Sequence, residues 1–282
     1  MSLAIVIEGG GLRGAFAVGV LSELAARVKR PVTHLFATSS GAPNAAYFAT
    51  GQIAEGVKIW EQRTHGAQLV DYANLVGSRP VMKIDELVAV FRDEIPLDAT
   101  RLAAGGPELY ISVTDVESGA GELVRATRDN VFSLLQAAMA IPIAYGRVVP
   151  VADGRYIDGG FRAPLAIREA LALEPSKVLA VLTKPRGHRR KRSVVGGWLQ
   201  GRSYAEFPRL RAAIAEKWSH YNATMDLVDT LEDEGQILAL RPPGELPVTR
   251  LSRSRDRIHA TIELGREVVR ARLDELLGYL DR

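Results

Sequence analysis

A chain of 282 residues, 47% of them hydrophobic and carrying a formal net charge of +3, is long enough for one large α/β domain with a substantial buried core. It contains no cysteine, which excludes disulfides, cysteine-ligated zinc and thiol catalysis and fits a reducing cytoplasm. No apolar run approaches the roughly 18 residues that span a bilayer, so the expectation is a cytoplasmic protein, at most peripheral to the inner face of a membrane.

The first residues, Met1-Ser2-Leu3-Ala4-Ile5-Val6-Ile7, lack a positive leader and read as a first strand, Ala4 to Glu8, rather than a signal peptide. Glycines follow, then Ala15 to Ala26 with apolar residues at helical spacing. A second apolar strand, His34 to Thr38, and a helix from Ala42 to Thr50 complete a βαβα opening. It predicts an α/β fold with a mainly parallel central sheet flanked by helices. Residues 53 to 63 read as a helix, Gly77-Ser78-Arg79-Pro80 as punctuation, and Ile84 to Glu94 as an amphipathic helix. Glu108 to Asp115 and Glu122 to Thr127 are strands about a Gly119-Ala120-Gly121 turn, and Val131 to Ala140 is a helix. Val148 to Ala152 and Arg155 to Ile157 flank the hairpin signal Asp153-Gly154. Lys177 to Thr183, almost wholly apolar, suits a strand buried on both faces.

From residue 184 onward the chain holds 19 Lys and Arg against 14 Asp and Glu, whereas the part before it holds 17 against 19. The run Lys184-Pro185-Arg186-Gly187-His188-Arg189-Arg190-Lys191-Arg192 places six fixed positive charges in nine residues. It reads as a solvated loop able to meet an anionic membrane peripherally, and it lacks the interleaved aromatics that would stack nucleic acid bases. No nucleic acid partner is expected. Beyond it come a helical stretch from Phe207 to Glu234, a strand from Gln236 to Arg241, a proline-rich connection over 242–247, and a last helix from Arg257 to Leu280. The chain therefore divides into an α/β domain over 1–183 and a basic loop with a mostly helical extension over 184–282, packed on it.

Three motifs carry chemistry. Gly9-Gly10-Gly11-Leu12-Arg13-Gly14, between the first strand and helix, satisfies the dinucleotide pattern G-x-G-x-x-G, but the second strand ends in Thr38-Ser39-Ser40 and offers no acid for a ribose. Such a loop also serves as an anion hole, because successive glycine N–H groups can face one oxygen beside a helix N-terminus. Ala37-Thr38-Ser39-Ser40-Gly41 places Ser39 on a strand-to-helix turn flanked by small residues, where a nucleophilic hydroxyl is exposed; Ser39 also suits a helix cap. Ser40 is more crowded. Asp158-Gly159-Gly160 follows a strand, and its glycines let a carboxylate approach another loop. None of His34, His65, His188, His220 or His259 lies in such a setting.

In this order, Gly-Gly-Gly-x-Arg-Gly, small-x-Ser-x-Gly and Asp-Gly-Gly, with Ala137-Ala138-Met139-Ala140-Ile141-Pro142 upstream of the aspartate, resemble the patatin-like phospholipase family over about residues 4–183. The tail, including Lys184-Pro185-Arg186-Gly187 and Arg241-Pro242-Pro243, is similar to the C-terminal extension of a bacterial branch. The resemblance implies a lipid acyl hydrolase or carboxylesterase with a Ser39–Asp158 dyad, an acyl-enzyme on Ser39 and no metal or cofactor. It further implies an oxyanion held by the N–H groups of Gly10 and Gly11 within the Gly9–Gly14 loop, with Arg13 fixing that loop or adding positive potential. Gly41, Gly159 and Gly160 shape the two turns. Ala37 stands where the family usually has glycine, and Ala138 where it often has serine. An NAD(P)-binding oxidoreductase using Gly9–Gly14, or a catalytically weak lipid-binding relative, are the alternatives.

Overall fold

Strand β1 (Leu3–Ile7) is buried along its whole length, and its alternating side chains serve two cores. Leu3, Ile5 and Ile7 face one apolar layer; Ala4 and Val6 face the other. The protein is described by a computed structural model covering residues 2–76, 79–103, 105–193 and 204–281. Gly77 and Ser78, the first half of the expected punctuation, lie outside the described residues.

The helices α1 (Gly14–Arg27), α2 (Gly41–Ala49), α3 (Ile53–Arg63), α4 (Ile84–Ala89), α5 (Val131–Ala138) and α6 (Ile167–Ala172) are distributed among strands β2 (His34–Thr38), β3 (Glu108–Asp115), β4 (Gly121–Arg125), β5 (Val149–Val151), β6 (Gly154–Asp158) and β7 (Lys177–Val181). Helix α7 (Pro208–Asp233), strand β8 (Leu238–Leu240) and helices α8 (Arg255–Ala271) and α9 (Leu273–Asp281) complete the chain. The sheet is eight-stranded and mixed, in the order β5-β6-β3-β2-β1-β7-β8, with β4 paired to β3. Strands β3, β2, β1, β7 and β8 are parallel; β4 and β6 run antiparallel to β3.

Three elements differ from the sequence expectation. The helix expected over Ile84–Glu94 is α-helical only to Ala89 and widens into a π-turn over Val90–Glu94. The helix expected over Arg257–Leu280 breaks at Arg272, whose guanidinium donates to Ala239 O (2.6 Å) and pairs with Glu275 (2.7 Å). That break turns α9 toward β7, where the Tyr279 hydroxyl accepts the Val178 N–H (3.2 Å). Helix α6 gave too short a periodic signal to be read between Pro164 and the following strand.

The segment after residue 183 shares the sheet and its cores. β8 extends the sheet beyond β7, Tyr221, Met225 and Val228 of α7 cover one face, and α8 packs against α1. The α1–α8 contact is a close backbone approach: a Cβ on Gly19 would lie 2.0 Å from Ile262 O, and one on Gly265 would lie 2.2 Å from Phe16 O. Gly265→Val is therefore expected to cost about 1–3 kcal/mol through overpacking. A lowered thermal midpoint checks this; an unchanged one would contradict it.

Candidate active site

The register of β3 brings two loops together. β2 pairs with residues 108–112 of β3 and β4 with residues 110–114, so these two occupy opposite edges. β6 pairs with residues 113–115, where β4 already holds one edge, and so it shares the edge of β2. Thr38 stands opposite Ser112 and Asp158 opposite Val113, so the C-terminal ends of β2 and β6 meet head to head. Ser39 follows one end and Asp158 closes the other. The glycine loop after β1 and Thr183 after β7 lie at the same end of the sheet, the crevice where open α/β sheets bind ligands.

Ser39 Oγ donates to Asp158 Oδ2 at 2.6 Å, and both residues are buried. Ser39 has φ of +54°, in the left-handed region that disfavours a residue with a Cβ. The turn is compact because Gly9 lacks a side chain: a Cβ there would lie 2.4 Å from Ser39 Cβ. Gly159 is crowded in the same way, its Cβ position being 2.3 Å from Ser112 Oγ. Gly41 backs onto Ile7 and Glu8, and Gly14 onto Ser40 and Trp60. Ala37 is buried in the core, between Ile7 on β1 and Ile111 on β3.

Asp158 accepts a second hydrogen bond from Gly160 N–H (2.7 Å), and its own N–H donates to Ala140 O (3.2 Å), within the Ala137–Pro142 segment. Burial pushes its carboxyl above the ordinary carboxylate range; the bonds from Ser39 and Gly160 and the charges of Arg250 and Arg190 pull the other way. Among the described residues no histidine hydrogen-bonds to either partner.

The glycine loop is held from several sides. Gly10 N–H donates to Ser40 Oγ (3.1 Å), Arg13 Nε donates to Gly10 O (3.3 Å), and Leu12 N–H donates to Arg250 O (3.1 Å). Gly11, with φ of +59°, opens a 3-10 turn, so its N–H has no acceptor within that turn. With the Leu12 N–H taken and Thr38 ending β2, the loop lacks the open helix start and strand-end acid that a dinucleotide uses.

An apolar cavity opens at Ser39. It holds about 540 Å³ including the part open to solvent and is walled by Pro43, Tyr47, Ile59, Trp60, Leu69, Met82, Ile84, Leu87, Phe91, Met139 and Ile141. Asn44 ties its wall together, donating to Gly14 O (2.9 Å) and accepting from Trp60 Nε1 (2.7 Å).

A sequence model described as "Patatin-like phospholipase" matches residues 5–171, more than half of the chain. The chain belongs to the patatin-like phospholipase family. Residues 207–281 match a domain of unknown function, DUF6363. Across 183 residues the chain is 30% identical to the uncharacterized protein YjjU of Escherichia coli (strain K12), covering 64% of this chain and 51% of that protein. It thus spans about half the length of that curated relative. Among solved structures it resembles VipD from Legionella pneumophila, with a TM-score of 0.53, 16% identity, and coverage of 97% of this chain and 66% of that one. At that identity the likeness is one of fold. Patatin-like phospholipases are in general lipid acyl hydrolases, and the mixed sheet flanked by helices is the patatin-like arrangement.

The patatin-like motifs did not reveal every residue around the dyad. Ser40, set aside as a nucleophile, anchors the glycine loop. Glu8, buried after β1, accepts from Thr183 N–H (2.7 Å) and Thr183 Oγ1 (3.0 Å) and ties β1 to β7. Its acidity beside three glycines was the available signal. Arg190 and Arg250, whose charges act on Asp158, come from the later part of the chain; Arg190 was read only as one member of the basic run, and Arg250 carries no local motif.

Proposed function

We propose that the chain is a serine lipid acyl hydrolase, or carboxylesterase, working through a Ser39–Asp158 dyad. The observation that carries this is the 2.6 Å hydrogen bond from Ser39 Oγ to a buried Asp158 carboxylate, at the mouth of an apolar cavity. Asp158 takes the Ser39 proton as Oγ attacks the ester carbonyl, and the acyl chain lies in the cavity. The oxyanion falls to the Gly11 N–H, joined by Gly10 N–H once Ser40 Oγ turns from it; each such donor stabilises the transition state by about 3–4 kcal/mol. Collapse expels the alcohol with the proton from Asp158. Asp158 then deprotonates a water that attacks the acyl-serine, releasing the fatty acid and restoring Ser39. Arg13 holds the loop through Gly10 O.

A fluorophosphonate probe should label Ser39, with labelling lost in Ser39→Ala; a folded wild type left unlabelled would overturn the reading. The buried base also sets a pH dependence. Asp158 acts only when ionised, and burial raises its pKa, so kcat/KM should fall as pH drops through a midpoint above the ordinary value of about 3.9. A midpoint at or below that value would contradict an Asp158 base.

Among the described residues no helix is long and apolar enough to cross a membrane. Peripheral contact with an anionic surface through 184–192 would rest on Lys191 and Arg192, which are exposed. The neighbouring charges are already paired: Lys184 with Glu245 (2.6 Å), Arg186 with Asp233 (2.6 Å), and Arg189 with Asp226 (2.7 Å) and Asp229 (2.9 Å).

A further inference from the structure

A second apolar cavity lies at the end of the sheet away from Ser39. It holds about 910 Å³ including the part open to solvent, and its walls include Leu3, Ile5, Leu24, Phe48, Ile53 and Leu179. Val32, which precedes β2, and Pro107, which precedes β3, close its edge, whereas Ser39 follows the far end of β2. From Val32 to Ser39 the extended chain advances roughly 20 Å. Among the described residues the two cavities have no wall residue in common, so they are separate sites. The one charged or polar side chain among the described residues of the second wall is Arg30.

Arg30 stands in the connection between α1 and β2 and is only partly exposed. Its Nη1 donates to the carbonyl of Leu280 in the last turn of α9, where a helix leaves carbonyls without partners. Its Nε and Nη2 are closed to solvent and have no hydrogen-bond partner among the described residues, and it joins no ion pair there. Those two nitrogens form one edge of the guanidinium, with parallel N–H groups that a carboxylate engages through both oxygens. Buried charged donors without acceptors are costly, so an acceptor brought from outside the chain gains the bonds the chain leaves unmade. The guanidinium belongs to the cavity wall, and its flexible stem lets this edge meet a carboxylate that enters there.

We propose that this cavity binds a free fatty acid, with the carboxylate on the Nε–Nη2 edge of Arg30 and the alkyl chain along Leu3, Ile5, Leu24 and Phe48. Each part of the wall selects one part of such a molecule. The fixed fork takes a planar anion with two oxygens, and the apolar walls take an unbranched chain. The volume falls within the ~300–1,000 Å³ of ligand cavities, and no further polar side chain of the described wall is present to orient a sugar or a base. The site goes beyond the hydrolase reading and does not draw on it: the ligand binds and leaves unchanged, whether or not Ser39 and Asp158 cut esters.

Calorimetry with decanoate, decan-1-ol and acetate tests this. Wild type should bind decanoate at least about tenfold more tightly than decan-1-ol, which has the chain without the charge. Acetate, which has the charge without the chain, should give no heat. Arg30→Gln should bring decanoate down to the level of decan-1-ol, and Arg30→Lys, a charge without the fork, should recover part of the difference. A fatty acid carrying a diazirine on its chain locates the ligand in wild type, independently of any variant. On irradiation its label should fall on Leu24, Val28 or Phe48 and be displaced by decanoate. Label confined to Ile84, Phe91 or Met139 would assign the binding to the Ser39 cavity and overturn the second site. Equal affinity of wild type for decanoate and decan-1-ol, or undiminished decanoate binding by Arg30→Gln, would equally overturn it, and acetate binding as tightly as decanoate would remove the role of the apolar wall.

Discussion

Replacing Asp158 with asparagine is expected to cut ester hydrolysis on the order of 10⁴- to 10⁶-fold, the range seen when the base or its partner is removed from a serine hydrolase. The substitution preserves shape. An asparagine Oδ1 can still accept Gly160 N–H, and its Nδ2 can donate to Ser39 Oγ, so both contacts at 2.7 and 2.6 Å survive with one reversed in polarity. Only the ability to accept a proton is lost. Stability should move the other way. Burial raises the Asp158 pKa, so the neutral acid contributes stability that is present below the ordinary carboxylate pKa and is lost as pH rises through the raised one. Asparagine mimics the neutral form. Asp158→Asn should therefore melt close to wild type in acid and above it at pH 8. An inactive variant that also melts lower at pH 8 would mean that Asp158 is a structural keystone, not a costly buried base.

Ser39→Ala and Ser39→Gly should both reduce hydrolysis on the order of 10⁶-fold, since each removes the nucleophilic oxygen. They differ in the backbone. At φ of +54° a Cβ is unfavourable by roughly 1–2 kcal/mol, and glycine escapes that penalty while losing more chain entropy on folding. The glycine variant should be the more stable of the two, by up to about 1 kcal/mol. Both leave Asp158 without its serine donor, so the comparison isolates the strain of the turn. Equal melting temperatures would show that the elbow stores none. Chemical denaturation of the two variants side by side supplies the measurement.

Much of this arrangement was legible because it is local. Apolar, β-rich runs at β1 and β2, glycines between β1 and α1, and small residues around Ser39 are each set within a few positions, and each element formed where its pattern lies. The hairpin over Asp153-Gly154 was legible for the same reason, with β5 and β6 pairing antiparallel. What the patterns could not convey is that β6 shares an edge of β3 with β2, the register that brings Asp158 to Ser39 across 119 positions. There the ordered motifs of the family stood in for geometry.

The basic run shows the opposite case. Read by composition, Lys184 to Arg192 is one patch; in three dimensions three of its members pair with acids on α7 and on the proline-rich connection, while Arg190 lies over the Tyr221 ring. Pairing depends on where α7 lies, and no periodicity within the run encodes that. The cavity was equally hidden, since its walls come from α2, α3, α4 and the Ile141 segment, each of which looks like ordinary core in isolation. The glycines at 19 and 265 that let α8 settle on α1 sit in unremarkable helical sequence.

The most direct measurement is to catch the acyl group. Wild-type protein mixed with a p-nitrophenyl ester and quenched in acid during turnover should yield a peptide containing Ser39 heavier by the mass of the acyl group, with fragmentation placing that mass on Ser39 and none in Ser39→Ala. Hydrolysis by folded protein with the acyl group on another residue, or undiminished hydrolysis by Ser39→Ala, would contradict the dyad.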